Sequence, residues 1–103
     1  MEEVNVDLGK RSYPIKIGHG VLQDFGSAYL ELGLGKSVAI VTNPTVAALY
    51  LDPVRKSLEA AGVTTTVVTM PDGEAYKTLE TAGNIHGDLI KAGMDRKSVI
   101  VTL

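Results

Sequence analysis

Residues 37–70 read SVAIVTNPTVAALYLDPVRKSLEAAGVTTTVVTM, and this stretch decides the fold. Ser37 to Thr42 is a short run rich in β-branched residues, too apolar on both parities for a strand with one wet face. Asn43-Pro44 ends it, because Pro cannot continue a ladder and biases its neighbour away from helix. A helical pattern then carries Val46, Leu49, Val54 and Leu58 as its apolar positions. Pro53 is expected to split that pattern, with Asp52 as an N-cap and Pro at the first helical position. Gly62 suits the left-handed residue past a helix end. A second β-branched run follows at 63–70.

The same grammar continues on both sides. Downstream, MPDGEAYKT (70–78) leads into a helix of about 15 residues. Leu79, Ala82, Ile85, Leu89 and Ile90 form its expected buried stripe, and Gly93 closes it. SVIVTL (98–103) is a further strand. Upstream, Val4, Val6 and Leu8 alternate with polar residues, as do Tyr13, Ile15 and Ile17, which predicts two half-buried strands around a Gly9-Lys10-Arg11 turn. Val21, Leu22, Phe25, Tyr29 and Leu32 then recur at helical spacing until Gly33 and Gly35 stop them. Strand, helix, glycine, strand, helix, glycine, strand is the order of a parallel sheet with crossover helices. The expectation is an α/β, Rossmann-like domain with an N-terminal strand pair. The last strand ends the chain with no loop after it, which suggests the front part of a larger, two-domain protein.

Composition narrows the partners. With 103 residues the chain supports one domain, and a formal charge of −2 gives no reason to expect nucleic acid or an anionic membrane. No apolar run approaches the roughly 20 residues of a spanning helix. The acidic start, Met1-Glu2-Glu3, is unlike a secretory signal. A cytoplasmic domain is expected, and the lack of cysteine is compatible with a reducing compartment.

Several motifs read as structure. Gly18-His19-Gly20 lacks the third glycine of a dinucleotide fingerprint, since Gln23 stands in its place. His19 and His86 have no companions at metal-ligand spacing, and His86 is expected at the surface. Gly83 and Gly87, one turn apart, suggest close approach of their helix to a neighbour. Arg96 and Lys97 read as a solvated turn.

Two loops carry the functional expectation, because ligands bind at the carboxyl edge of an open parallel sheet. Asn43 and Thr45 leave the first buried strand. Asp72, Gly73, Glu74, Ala75, Tyr76 and Lys77 leave the second. Pro71-Asp72-Gly73 explains a turn and Glu74 suits a helix N-terminus, but Lys77 in a first helical turn opposes the dipole unless an acceptor-rich ligand offsets it. A carboxylate there suits the vicinal diol of an adenosine ribose and disfavours a 2′-phosphate, which points to NAD rather than NADP.

Four segments carry a family resemblance: VDLGKRSYPIKIGHG (6–20), IVTNPTVAALYL (40–51), PDGEAYKT (71–78) and GMDRKSVIVTL (93–103). They resemble the N-terminal region of the 3-dehydroquinate synthase family, in which the last of these strands runs into a Gly-Gly-Gly loop. The resemblance implies an NAD- and metal-dependent phosphate-eliminating cyclase of the shikimate pathway of aromatic amino acid biosynthesis. Such an enzyme converts 3-deoxy-D-arabino-heptulosonate 7-phosphate to 3-dehydroquinate plus phosphate. It implies transient oxidation of a ring hydroxyl by NAD, phosphate loss, return of the hydride, then ring opening and an intramolecular aldol closure. It implies zinc or cobalt held by a C-terminal domain outside this chain, a sugar-phosphate substrate and a homodimer. Asn43, Thr45 and residues 72–77 match the family's NAD contacts, with Glu74 and Lys77 on the adenosine ribose. Thr45 stands where some members have Asn. No catalytic or metal-binding residue is expected within the chain, so the isolated segment is expected to be inactive. The alternatives are a 2-deoxy-scyllo-inosose synthase-like cyclase, a polyol or alcohol dehydrogenase domain, and a stand-alone nucleotide-binding module.

Overall fold

The computed structural model describes residues 2–95 and 97–103. Met1, and the Arg96 half of the expected solvated turn, lie outside the described residues. The alternating N-terminal runs form β1 (Glu2–Val6) and β2 (Tyr13–Ile17), paired antiparallel with Val4 opposite Ile15. The predicted strand pair is present, joined by a 3₁₀ turn at Gly9–Arg11. Its predicted half-burial is met only at Val6, whereas Val4, Tyr13, Ile15 and Ile17 are exposed. Alternation marks a face fit for burial, and the described residues leave most of that face open.

A 3₁₀ turn at Val21–Asp24 runs into α1 (Phe25–Glu31), which ends at Gly33 in the left-handed region, φ 66°. Next come β3 (Ser37–Thr42) and α2 (Pro44–Val46), then a π-helical turn at Ala47–Leu51 and α3 (Asp52–Ala60). The expected break at Pro53 is absent. Asp52 has helical backbone, φ −58° and ψ −48°, and the helix runs through. Pro lacks the N–H for a regular backward bond and its ring crowds the preceding turn; the wider π turn accommodates both. Gly62, φ 81°, ends the helix as its position predicts. β4 (Thr64–Thr69), a 3₁₀ turn at Glu74–Tyr76, α4 (Leu79–Lys91) and β5 (Val99–Thr102) complete the order.

β3, β4 and β5 form one parallel sheet in the order β4-β3-β5, with Ser37 beside Thr64 and Val38 beside Val99. The first strand of the unit is therefore the central one. Val38 and Ile40 point to one face, where they join Tyr29, Val54, Leu58 and Val63 in the core. Full burial of side chains such as Ile40 and Leu58 stabilises by about 1.5–3 kcal/mol each. α1 and α3 cross tightly on this face. A Cβ on Gly26 would lie 2.1 Å from the Ser57 carbonyl oxygen. The Gly26 N–H instead donates to Ser57 Oγ at 2.8 Å, and that hydroxyl donates to the Gln23 carbonyl at 2.8 Å.

The opposite face is covered over the central strand but open at β5. α4 lies there, and an open groove lined by Ala39, His86, Leu89, Ile90 and Ile100 runs between it and β5. The expected buried stripe of α4 is not buried: Leu79 is 93% and Ile90 60% exposed, and Ile85 and Leu89 are only half-buried. The continuous apolar run of β5 is likewise not covered on both faces, because Ile100 is exposed. Close approach at Gly83 and Gly87 is also not found, since among the described residues no neighbouring element lies within 4 Å of a Cβ at either. Gly26 is where a backbone approaches closely.

Candidate functional site

Topology locates the site before any side chain is considered. The β3-to-β4 connection packs on one face of the sheet and the β4-to-β5 connection on the other. In an open parallel sheet, such a reversal opens a crevice outside the carboxyl ends of the strands. Both loops singled out from sequence leave the sheet at this edge. Backbone bonds hold the strand ends level there: Met70 N–H donates to the Thr42 carbonyl at 2.8 Å, and Leu103 N–H to the Val41 carbonyl at 3.0 Å.

After β3, Asn43 is the N-cap of the following helix, and its Oδ1 accepts from the Val46 N–H at 2.8 Å. Pro44 fills the first helical position, where a missing N–H leaves nothing unpaired. The cap occupies Asn43 Oδ1 and leaves its amide N–H₂ available. Thr45, exposed in the first turn, donates from Oγ1 to Asp72 Oδ2 at 2.8 Å. Its N–H faces Asp72 Oδ1 at the longer distance of 3.5 Å. Asn43, Thr45 and Asp72 therefore come together across the two loops.

After β4, Gly73 takes φ 96° and ψ 154°, a backbone that essentially only glycine adopts. It turns the chain into one 3₁₀ turn in which the Lys77 N–H donates to the Glu74 carbonyl at 3.0 Å. Glu74 Oε1 accepts from Lys77 Nζ at 2.9 Å, and both side chains are exposed. The sequence places Lys77 against the dipole of the following helix, and the structure corrects this. Thr78 is the N-cap of α4, its hydroxyl accepting from the Thr81 N–H, and Lys77 ends the short turn before it. The cation is balanced there by Glu74, its partner at 2.9 Å. Ala75 and Tyr76 lie within the turn, exposed, above a groove that also includes Met70, Pro71, Thr81 and Asn84.

The remaining histidines stay out of this edge: His86 borders the groove on the far side of α4, and His19 sits in the loop after β2. Among the described residues no group of three His, Asp or Glu side chains gathers, so they offer no metal-ligand set. Among the described residues, one Glu74 carboxylate oxygen, further Lys77 ammonium protons and the Asn43 amide N–H₂ have no protein partner and remain able to accept or donate. The Thr45–Asp72 contact was the part that sequence reasoning missed.

No protein-family model matches the chain. Its likeness to 3-dehydroquinate synthases extends over its whole length. It is 50% identical to the enzyme of Pelotomaculum thermopropionicum over 103 residues, all of this chain and 28% of that protein. It is also 50% identical to that of Geobacter metallireducens over the same length, 29% of that protein. The chain thus spans less than a third of the curated relatives it matches. Among solved structures, a 2-deoxy-scyllo-inosose synthase complexed with carbaglucose-6-phosphate, NAD+ and Co2+ superposes with a TM-score of 0.80. That match covers 96% of this chain and 27% of the other at 19% identity, which speaks for the fold.

Proposed function

Proceeding from a chain that resembles 3-dehydroquinate synthase from end to end, we propose that it forms the NAD-binding side of such an enzyme. The observation that carries this is the 50% identity over the full length of the chain; the Glu74–Lys77 pair on the loop after β4 is where we place the nucleotide contact. The whole enzyme would convert 3-deoxy-D-arabino-heptulosonate 7-phosphate to 3-dehydroquinate with loss of phosphate, in the shikimate pathway. Bound NAD would supply reversible oxidation of a ring hydroxyl. The residues of this chain bind and orient. Glu74 accepts from the hydroxyls of the adenosine ribose, and Lys77 donates to them. Asn43, on the loop that also carries Thr45, forms the other side of the grip, and the 72–77 turn, with Ala75 and Tyr76 in it, frames the sugar. The anionic Glu74 disfavours a 2′-phosphate by like-charge repulsion, so NAD is preferred over NADP.

The divalent metal, zinc or cobalt, belongs in this reading to a C-terminal domain, as do the catalytic and sugar-phosphate groups. The enzyme would be a cytoplasmic lyase and a homodimer. The 103-residue segment alone would not turn over. A sister cyclase acting on another sugar phosphate shares the fold seen in the 2-deoxy-scyllo-inosose synthase structure. Offering the whole enzyme both substrates separates the two readings.

The deciding experiment measures NAD affinity in the protein carrying this segment, for Glu74→Ala and Lys77→Ala. The Glu74–Lys77 pair is so exposed that its loss should change stability by no more than about 0.5 kcal/mol. NAD affinity should nevertheless fall by about tenfold, the worth of one charge-assisted hydrogen bond. Unchanged affinity in both variants removes the site assignment.

A further inference from the structure

Asp72 sits where a carboxylate is expected to face a ligand, yet both of its oxygens face Thr45, on the neighbouring loop. Past the Met70–Thr42 ladder bond, the loops after β3 and β4 diverge, and this contact spans them. The Thr45 hydroxyl donates at 2.8 Å to an ionised acceptor, which is the stronger class of hydrogen bond. The Thr45 N–H belongs to the helix's first turn, whose donors have no intrahelical partner; Asn43 caps Val46 and leaves this one to Asp72. Among the described residues the Glu74 and Lys77 side chains hold only each other, in an exposed pair that cannot fix its own position. What fixes the turn they stand on is Asp72 at its base, followed by the glycine-only backbone of Gly73.

We propose that Asp72 is a positioning residue that clasps the loop after β4 to Thr45, setting the span across which Asn43 on one side and Glu74 and Lys77 on the other grip the nucleotide. Asp72 and Thr45 then act through each other and not as two independent contacts. The inference rests on the NAD reading above and adds to it a coupling between the loops.

A double-mutant cycle in the protein carrying this segment tests it, with NAD affinity read by titration calorimetry and folding read by thermal unfolding. Asp72→Ala and Thr45→Val should each weaken NAD by about tenfold, and the double variant by about tenfold rather than about a hundredfold, because either change opens the same clasp. Thr45→Ser keeps the hydroxyl and should recover most of the affinity that Thr45→Val loses. A role in stability alone would lower the melting temperature without this pattern in affinity. Should Asp72→Ala fail to fold, Asp72→Asn takes its place in the cycle. Multiplying effects would overturn the clasp, since they mean separate contacts with the nucleotide, and so would a Thr45→Val variant that binds NAD unchanged. A wild-type protein that binds no NAD fails differently: it removes the function reading, and the positioning role with it.

Discussion

At the scale of single residues, Gly73 shows how a turn can be required by backbone alone. A Cβ there would meet nothing within 4 Å, so crowding plays no part. Its φ of 96° with ψ 154° is the whole obstacle. Gly73→Ala should therefore destabilise by about 1–3 kcal/mol, or else rearrange the turn and loosen NAD at little cost in stability. Denaturant unfolding combined with NAD titration would detect either, and an alanine variant normal in both would show that the turn is not strained. Tyr29 is a second case. It is buried, its hydroxyl donates to the Gly35 carbonyl, and burial pushes its phenol above its ordinary value of 10.0. The fold thus favours the protonated phenol, so this group costs no stability below pH 10 and subtracts from it as pH rises further. Tyr29→Phe should remove that alkaline loss while losing about 1 kcal/mol at neutral pH through the missing hydrogen bond. Pro71-Asp72-Gly73 was legible as a turn because its residue types demand one. The Thr45–Asp72 bond was not, because local pattern says nothing about a partner 27 residues away.

Among elements, glycine separates what periodicity can and cannot tell. Spacing located α4 and its apolar stripe, yet a stripe states which side is apolar and not what lies against it. Gly83 and Gly87 were read as contact residues on that logic, yet among the described residues a Cβ at either would have open space around it. Gly83→Ala should accordingly raise stability by about 0.5–1 kcal/mol through helix propensity. A fall would show that another part of the protein packs on that side of α4. Gly26→Ala should do the reverse, because the new methyl would drive α1 from the Ser57 backbone, with a loss of about 1–3 kcal/mol. Melting temperatures of the two variants, opposite in sign, test the pair. β3 was the most legible element, since apolar residues on both parities mean a strand buried on both faces, and Val38, Ala39 and Ile40 are all fully buried. The passage through Pro53 was not legible, because a π turn leaves no residue signature comparable to a cap.

For the whole molecule, the parallel order and its carboxyl edge followed from the strand–helix–glycine recurrence, whereas the coverage of its surfaces did not. Ile100, Ile90 and the strand pair present apolar side chains to solvent, and sheet edges stay unpaired along β4 and β5. The 103-residue segment should therefore associate with rising concentration and bind a hydrophobic dye. A monodisperse segment that binds NAD tightly would instead favour the stand-alone nucleotide-binding module. The strand order carries one more consequence, in time rather than space. β3 pairs with β4 across a single helical connection, Ser37 beside Thr64, but reaches β5 only after the whole of β4 and α4, Val38 beside Val99. Loop closure favours the nearer pairing, so β3, α3 and β4 should nucleate around Ile40 and Leu58 while β5 docks late. On a ribosome, the two loops bearing Thr45 and Asp72 would meet before the final strand has left the exit tunnel.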